Sequence, residues 1–161
     1  MRTFVKFTIL AFAALAVVSA CNSTPKFTNF SDAIGKEWQL TEIRTDPGTI
    51  IFDRNTLKTE GFSNIFTLNF DAERLSGVGA PNRYTAPYTA DADQNISVQL
   101  IAGTMMAPLR EPEKLKEQDY FTYIQNAYKW SFTKDGTLEL SSKNADGTEV
   151  VLVYELGSAK K

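Results

Sequence analysis

Short runs of alternating apolar and polar residues, separated by turn signals, fill most of the chain between residues 37 and 156. In the clearest run, Phe66, Leu68 and Phe70 lie two residues apart and therefore share one face of an extended strand. Two Asp-Gly dipeptides, at 135–136 and 146–147, separate the last runs, and this dipeptide is typical of tight hairpins. We predict strands at 37–44, 49–53, 65–70, 75–80, 84–89, 96–103, around Trp130 and Phe132, at 138–140 and at 150–156.

One longer segment has helical periodicity. Tyr120, Ile124 and Ala127 recur at helical spacing and form an apolar stripe. Because Pro112 suits the first turn of a helix, we predict that the helix covers 112–127. Strands, one helix and then strands again indicate a mostly β (α+β) fold, an antiparallel sheet curled into a partly open barrel with one covering α-helix.

The N-terminus has the pattern of a secretory signal. Arg2 and Lys6 precede an apolar run at 7–18. This run is shorter than the ~20 residues that span a bilayer. Small residues then precede Cys21, as in a bacterial lipobox, where the cysteine is acylated and becomes the mature N-terminus. We therefore predict a lipoprotein signal peptide over 1–20, a lipid tether over 21–34 and a folded domain over 35–157. The alternative is an ordinary secretory signal with a chance cysteine.

The residue inventory excludes several kinds of chemistry. The chain has no histidine and a single cysteine, which excludes serine–histidine and cysteine–histidine catalysis, the usual zinc sites and an internal disulfide. Removal of the signal, with Arg2 and Lys6, would leave 15 basic and 19 acidic residues, a net charge of −4. That charge does not favour nucleic acid as a partner. We predict neither a cofactor nor a metal site.

Several segments, in this order and spacing, are similar to one known family. They lie at 35–40, 66–70, 75–84, 96–98 and 104–108, followed by a helical Glu-x-x-Tyr-x-x-Tyr-Ile pattern from Glu117. The set resembles the META domain, the HslJ-like family of heat-shock lipoproteins, over about 35–156. The residues that we carry over as its structural motif are Trp38, Gly77, Asn82, Tyr84, Thr104 and Met106. The resemblance implies a small cracked barrel without enzymatic activity, located in the envelope and linked to stress.

One departure from the family pattern leads to a further prediction. Members often carry cysteines where this chain has Pro81 and Pro108. The resemblance implies that those cysteines form one bridge, so their positions should be neighbours. We expect the α carbons of Pro81 and Pro108 to lie within ~7 Å of each other, the limit for a disulfide.

Two groups of carboxylates could carry chemistry, and each has a structural alternative. Residues 91–95 imitate the start of an EF-hand loop, but Ile96 takes the place of the required glycine, so a solvated turn is favoured. Acids near the predicted helix start could form a pair that cleaves glycosides. The helix dipole and a solvated helix face explain them without catalysis. These acids are Glu111, Glu113, Glu117 and Asp119.

The chain is rich in aromatic residues, which either fill the core or line an apolar cavity for an acyl chain or a peptide. We expect a non-enzymatic envelope lipoprotein with a binding or structural role in envelope stress. The alternative is a carrier or pilot-like chaperone for a lipid or an apolar peptide ligand. Its partners would be the membrane, through lipid on Cys21, and an envelope protein or apolar ligand. Asn22, where an aspartate would favour the inner membrane, favours the outer membrane facing the periplasm.

Overall fold

The structure, a computed structural model, describes residues 27–157. The predicted signal peptide, Cys21 and the first part of the tether lie outside the described residues. Ten strands and two α-helices follow a short 3-10 helix at Phe30–Ala33. The strands are β1 (Glu37–Thr45), β2 (Thr49–Ile51), β3 (Thr67–Phe70), β4 (Arg74–Val78), β5 (Arg83–Ala90), β6 (Ile96–Val98), β7 (Ala102–Gly103), β8 (Lys129–Phe132), β9 (Leu138–Lys143) and β10 (Glu149–Leu156), and the helices are α1 (Arg54–Thr59) and α2 (Glu117–Gln125).

The strands form one antiparallel sheet that is nearly closed into a barrel. The order is β6-β5-β4-β3-β1-β10-β9-β8, with β2 beside β1 and β7 beside β5. Only a single antiparallel bridge, between Asn95 and Lys129, joins the two outer strands across the seam. The backbone N–H of Ile96 donates to the carbonyl of Tyr128 at 3.1 Å beside this bridge. The predicted partly open barrel with one covering helix is confirmed.

The alternation seen in the sequence becomes the inner face of the barrel. Leu68 and Phe70 are at most 2% exposed, as are the corresponding residues of β1, β4 and β9. In β1, a β-bulge between Leu40 and Glu42 shifts the register against β10. A bulge reverses the face on which the following residues lie, so the alternation in the sequence slips at this point.

The predicted strand at 96–103 is wrong in part, because it is two strands with a break between them. The backbone N–H of Gln99 donates to the carbonyl of Pro87 on β5, at 2.9 Å. Pro87 has no N–H to return, so the ladder is interrupted there. Leu100, which would share a face with Ile96 in one continuous strand, is 79% exposed.

The helix α2 covers one end of the barrel, which we call the α2 end. Tyr120 and Ile124 are fully buried and Ala127 is 5% exposed, so the predicted apolar stripe is confirmed. The predicted start at Pro112 is wrong, because a turn at 113–114 precedes the helix and the N-cap residue Lys116 is extended (φ −78°, ψ 148°). Pro112 is buried and lines a small cleft together with residues of α1.

The other end of the barrel, which we call the N-terminal end, is closed by the 3-10 helix. The Phe30 ring packs against Phe70, Tyr88 and Trp130, with centroids 4.9–5.5 Å apart. The last eight residues of the predicted tether, 27–34, therefore pack against the barrel. The backbone N–H of Gly157 donates to the carbonyl of Glu37, so both ends of the described chain lie at this end.

Candidate functional site

Asn82 lies at the α2 end, in the turn between β4 and β5, and it is only 6% exposed. Its Oδ1 accepts hydrogen bonds from the backbone N–H of Met106 at 2.7 Å and from the Thr104 hydroxyl at 2.8 Å. Its Nδ2 donates to the Met106 carbonyl at 3.0 Å and to Glu117 Oε2 at 2.6 Å. A side-chain amide offers two donors and two acceptor positions, so Asn82 uses all of them. We call Asn82, Thr104, Met106 and Glu117 the Asn82 cluster.

Glu117 joins this cluster to the start of α2, of which it is the first residue. Its Oε1 accepts from the backbone N–H groups of Ala80 at 2.5 Å and of Asn82 at 2.6 Å. Hydrogen bonds to a carboxylate are stronger than those between neutral groups, so Glu117 holds the β4–β5 turn firmly on the helix. The sequence analysis missed this role, because it assigned Glu117 to a solvated face. The signal in the sequence was its place as the first residue of the helical pattern shared with the family.

The Asn82 cluster supports a long exposed loop. All ten residues at 102–111 are exposed, and within this loop Met105 is 99% and Leu109 107% exposed. The loop is attached at both ends. The backbone N–H of Thr104 donates to the Arg83 carbonyl at 3.0 Å, and the Arg110 guanidinium lies 4.7 Å from the centroid of the Phe62 ring. The result is a loop with an anchored backbone and outward apolar side chains, which we call the exposed loop.

Gly77 and Tyr84 meet at the carbonyl of Thr67. A Cβ added to Gly77 would lie 2.0 Å from the Thr67 oxygen, so only glycine fits. The hydroxyls of Tyr84 and Tyr120 both donate to that oxygen, at 2.8 and 3.2 Å, and the hydroxyl of Tyr154 donates to Tyr120 at 3.3 Å. Burial raises the pKa of Tyr120 to about 12 and the pKa values of the other two tyrosines well above 10. These hydroxyls therefore remain protonated and serve as hydrogen-bond partners inside the barrel.

Trp38 lies at the opposite end from the Asn82 cluster. Its indole is fully buried, and its Nε1 donates to the Ala33 carbonyl at 3.1 Å. The Phe27 ring packs on it with centroids 5.8 Å apart. The six motif positions are therefore divided among three places. Asn82, Thr104 and Met106 form the cluster, Gly77 and Tyr84 surround Thr67, and Trp38 holds the N-terminal end.

Comparison with protein-family models shows which family has this fold and these motif residues. The family model described as the META domain matches residues 31–155, which is most of the chain.

The chain belongs to the META-domain family.

The resemblance to the META domain that the sequence indicated is thus confirmed. The fold is similar to the NMR structure of a protein from Burkholderia xenovorans, with a TM-score of 0.55 over 80% of this chain and 86% of that one. Their sequence identity is 18%, so this likeness concerns the fold alone. The comparison with curated proteins gives no match.

The two prolines that replace the family cysteines lie near Asn82 and Met106, which are hydrogen-bonded to each other. Pro81 precedes Asn82 and follows a cis peptide bond, and Pro108 lies two residues after Met106. The hydrogen bonds between Asn82 and Met106 bring the two segments together. The separation of the two proline α carbons stays a prediction.

The remaining carboxylates of the META domain do not converge on a site. Glu111, Glu113 and Asp119 are exposed, while Glu117 belongs to the Asn82 cluster. Within residues 27–157, no group of three acidic, histidine or cysteine side chains could hold a metal ion. In this part of the chain, no helix combines the length and apolar character that crossing a membrane would require.

The segment at 91–95 forms a turn stabilised by its own side chains. Asp91 Oδ1 accepts from the backbone N–H groups of Asp93 at 3.0 Å and Asn95 at 2.9 Å, and Oδ2 accepts from the Asn95 amide at 2.9 Å. The Asn95 side chain, its backbone N–H and that of Asp93 lower the pKa of Asp91. The carboxylate therefore fixes the local backbone, as favoured in the sequence analysis.

The aromatic residues of the META domain pack ring against ring inside the barrel. Tyr120 lies 5.0 Å from Phe66 and 5.9 Å from Tyr84, measured between ring centroids, and Tyr84 lies 5.2 Å from Phe121. Two surface clefts of about 270 and 300 Å³ border this packing, with Tyr84 in the lining of the first and Phe121 in that of the second. Polar residues make up most of the lining of the first cleft and half of that of the second, unlike the aromatic cavity considered from the sequence.

Proposed function

We propose that this META-domain protein is a non-enzymatic lipoprotein of the bacterial envelope, anchored by lipid on Cys21, that binds a partner protein during envelope stress. The signal-like N-terminus before Cys21 supports the anchor. The observation that carries the binding role is the exposed loop, because the Asn82 cluster fixes its backbone while its apolar side chains remain in solvent. Apolar side chains collected on one loop are typical of contact surfaces.

The positions of the two barrel ends favour a partner away from the anchoring membrane. Six residues of extended backbone separate Asn82 at the α2 end from Tyr88 at the N-terminal end, about 20 Å at ~3.3 Å per residue. Cys21 lies six residues before Phe27, and that segment spans at most about 20 Å. Lipid on Cys21 would therefore hold the N-terminal end at an outer membrane, with the exposed loop towards the periplasm.

The side chains of the loop indicate a protein partner with an apolar pocket. Burial of Met105 or Leu109 would each stabilise a complex by ~1.5–3 kcal/mol before the costs of association. Methionine adapts its shape to irregular surfaces. Its charges are mixed, with Arg110 beside Glu111, which gives little attraction to an anionic leaflet.

The use of the polar side chains supports a role without catalysis. Asn82 and Glu117 form hydrogen bonds with each other and with backbone groups. Among the described residues, every buried side-chain nitrogen or oxygen has a hydrogen-bond partner. Catalytic sites instead hold groups that are poised to bond with a substrate.

The alternative function is a carrier or pilot-like chaperone for a lipid or an apolar peptide. The exposed loop fits this role too, because Met105 and Leu109 could cover an apolar segment of another chain. The packed aromatic interior does not favour a ligand inside the barrel.

The anchor is tested by the intact mass of the protein purified from native envelopes. We expect a mature chain that begins at Cys21 and carries the mass of acyl groups. The Cys21→Ser variant should be recovered in the soluble fraction. An unmodified mature N-terminus, or a Cys21→Ser protein that stays bound to membranes, would contradict the anchor without bearing on the loop.

The partner is tested by photo-crosslinking in the native envelope. A photoreactive residue replaces Leu109 or, as the control, Ile34, which is 37% exposed at the N-terminal end. We expect a discrete adduct with one protein from position 109 only. That protein, once purified, should bind the M105S/L109S variant about tenfold or more weakly than wild type. Adducts with lipid, with a second copy, or with no protein would contradict the proposal.

A further inference from the structure

A polar cleft of about 270 Å³ lies on the outer face of the barrel, where the regular pairing between β3 and β4 ends. The two strands pair at Asn69–Ser76 and Phe70–Leu75, and beyond these pairs Gly77 passes close over the Thr67 carbonyl. The cleft therefore follows from the course of two paired strands, and its floor is a rigid sheet. Its volume lies near the lower end, ~300 Å³, of the range for small-molecule sites.

Four polar side chains that line this cleft make no hydrogen bond to the rest of the described chain. They are Asn64, Asn69, Ser76 and Arg83. The neighbouring Glu37 accepts one hydrogen bond, from the Gln39 amide at 3.2 Å. These side chains contrast with the Asn82 cluster, where every hydrogen-bonding position of the amide is used. Polar groups that converge on a concave surface without internal partners are available to a ligand.

We propose that this cleft binds a neutral saccharide. The amides of Asn64 and Asn69 and the hydroxyl of Ser76 can each donate and accept hydrogen bonds. Sugar hydroxyls have the same dual capacity. Arg83 and Glu37 add one donor group and one acceptor group, and their formal charges cancel.

The same residues disfavour other classes of ligand. An anion would be attracted by Arg83 but repelled by Glu37. A metal ion would find a single carboxylate. A peptide strand would find no free edge, since β3 pairs with both β1 and β4, and β4 with both β3 and β5. This proposal does not depend on lipid at Cys21 or on a partner for the exposed loop.

Nuclear magnetic resonance titration of the folded protein tests the proposal. The probes are N,N′-diacetylchitobiose, maltose and, as a charged comparison, inorganic phosphate. We expect saturable shifts of the backbone amides of Asn69, Ser76 and Val78 with at least one of the two disaccharides and none with phosphate. Shifts with phosphate alone, shifts confined to another surface, or no saturable shifts with either disaccharide would overturn the proposal.

Paired variants separate binding from folding. The N69A/S76A variant removes two polar groups from the cleft, and we expect about tenfold weaker binding, since two hydrogen bonds are lost. The control variant, S97A/Q99A, also removes one serine hydroxyl and one side-chain amide, both exposed, at and just after β6. It should bind as wild type does. Equal affinity of N69A/S76A and the control, with both variants folded, would also overturn the proposal.

Discussion

Replacement of Asn82 by alanine should release both the exposed loop and the start of α2. The substitution removes four hydrogen bonds, three to neutral groups and one to the Glu117 carboxylate. At about 1 kcal/mol for each neutral bond and about 2 kcal/mol for the charged one, the upper limit is about 5 kcal/mol. Because the loop borders solvent, water can replace some partners. We therefore expect the free energy of unfolding to fall by about 3 kcal/mol.

The near-isosteric Asn82→Asp variant tests the same geometry through its dependence on pH. Its carboxyl group would face Glu117 Oε2, which Asn82 Nδ2 contacts at 2.6 Å. Two carboxylates this close cannot both ionise, so the folded state raises the pKa of the new group above ~3.9, its value in the unfolded chain. The protonated acid can donate to Glu117, so the stability that N82D loses relative to wild type should be smallest below pH ~4. That loss should grow as the pH rises through the raised pKa.

Urea denaturation followed by tryptophan fluorescence measures both effects, with hydrogen exchange reporting on the loop. The matched control is Asn69→Ala, since Asn69 is on the outer face and its side chain makes no hydrogen bond within the described chain. We expect N69A to change the free energy of unfolding by less than about 0.5 kcal/mol. A loss below about 1 kcal/mol in N82A, or equal stability of N82D and N82A at every pH, would refute the reasoning.

Three further predictions concern other parts of the barrel. Gly77→Ala should destabilise the fold by about 3 kcal/mol or more in urea denaturation, because its Cβ would lie 2.0 Å from the Thr67 carbonyl oxygen, which is backbone. Tyr120 has a folded pKa of about 12 against ~10 in the unfolded chain, so its contribution is complete below pH 10. As the pH rises towards 12, about 3 kcal/mol of stability should be lost, measurable by denaturation at alkaline pH. Asp53→Ala should lower the midpoint of thermal unfolding, since Asp53 caps α1 by accepting from the Thr56 N–H at 2.6 Å.

Each of these predictions has a direct control. Gly48 has no atom within 4 Å of an added Cβ, so G48A should be close to neutral, and a G77A variant equally neutral would contradict the clash. Stability that stays constant between pH 10 and pH 12 would show that the buried tyrosine does not titrate as expected. Asp135 is an exposed aspartate in a turn outside any helix, and D53A should cost more than D135A.

The strands were predictable because the alternation of apolar and polar residues within each short segment indicates which side chains are buried. The alternation of Phe66, Leu68 and Phe70 required no knowledge of what lay opposite. The prediction failed where the deciding partner was distant in sequence. The break after β6 depends on Pro87, and Pro112, which suited the first turn of a helix, is instead buried beside α1.

The candidate site was predictable in its residues but not in their roles. Asn82, Thr104 and Met106 were selected together through the family resemblance, and the fold joins them by hydrogen bonds. Glu117 was in the helical pattern but not among the motif residues carried over, since its carboxylate meets Asn82, 35 positions earlier, only in the folded chain. The polar cleft has no signature in the sequence either, because its residues come from four strands and one loop.

The sequence by itself determined that this chain forms a curled antiparallel sheet with a covering helix, and that it lacks histidine and has a single cysteine. The first property follows from local periodicity and the second from amino-acid composition, and neither depends on long-range contacts. Only the tertiary structure decided that Glu117 fixes the β4–β5 turn, that 102–111 projects from the α2 end, and that unpaired polar groups meet over β3 and β4. Those outcomes depend on which distant backbone and side-chain atoms come within hydrogen-bond distance, and that is fixed only when the barrel closes.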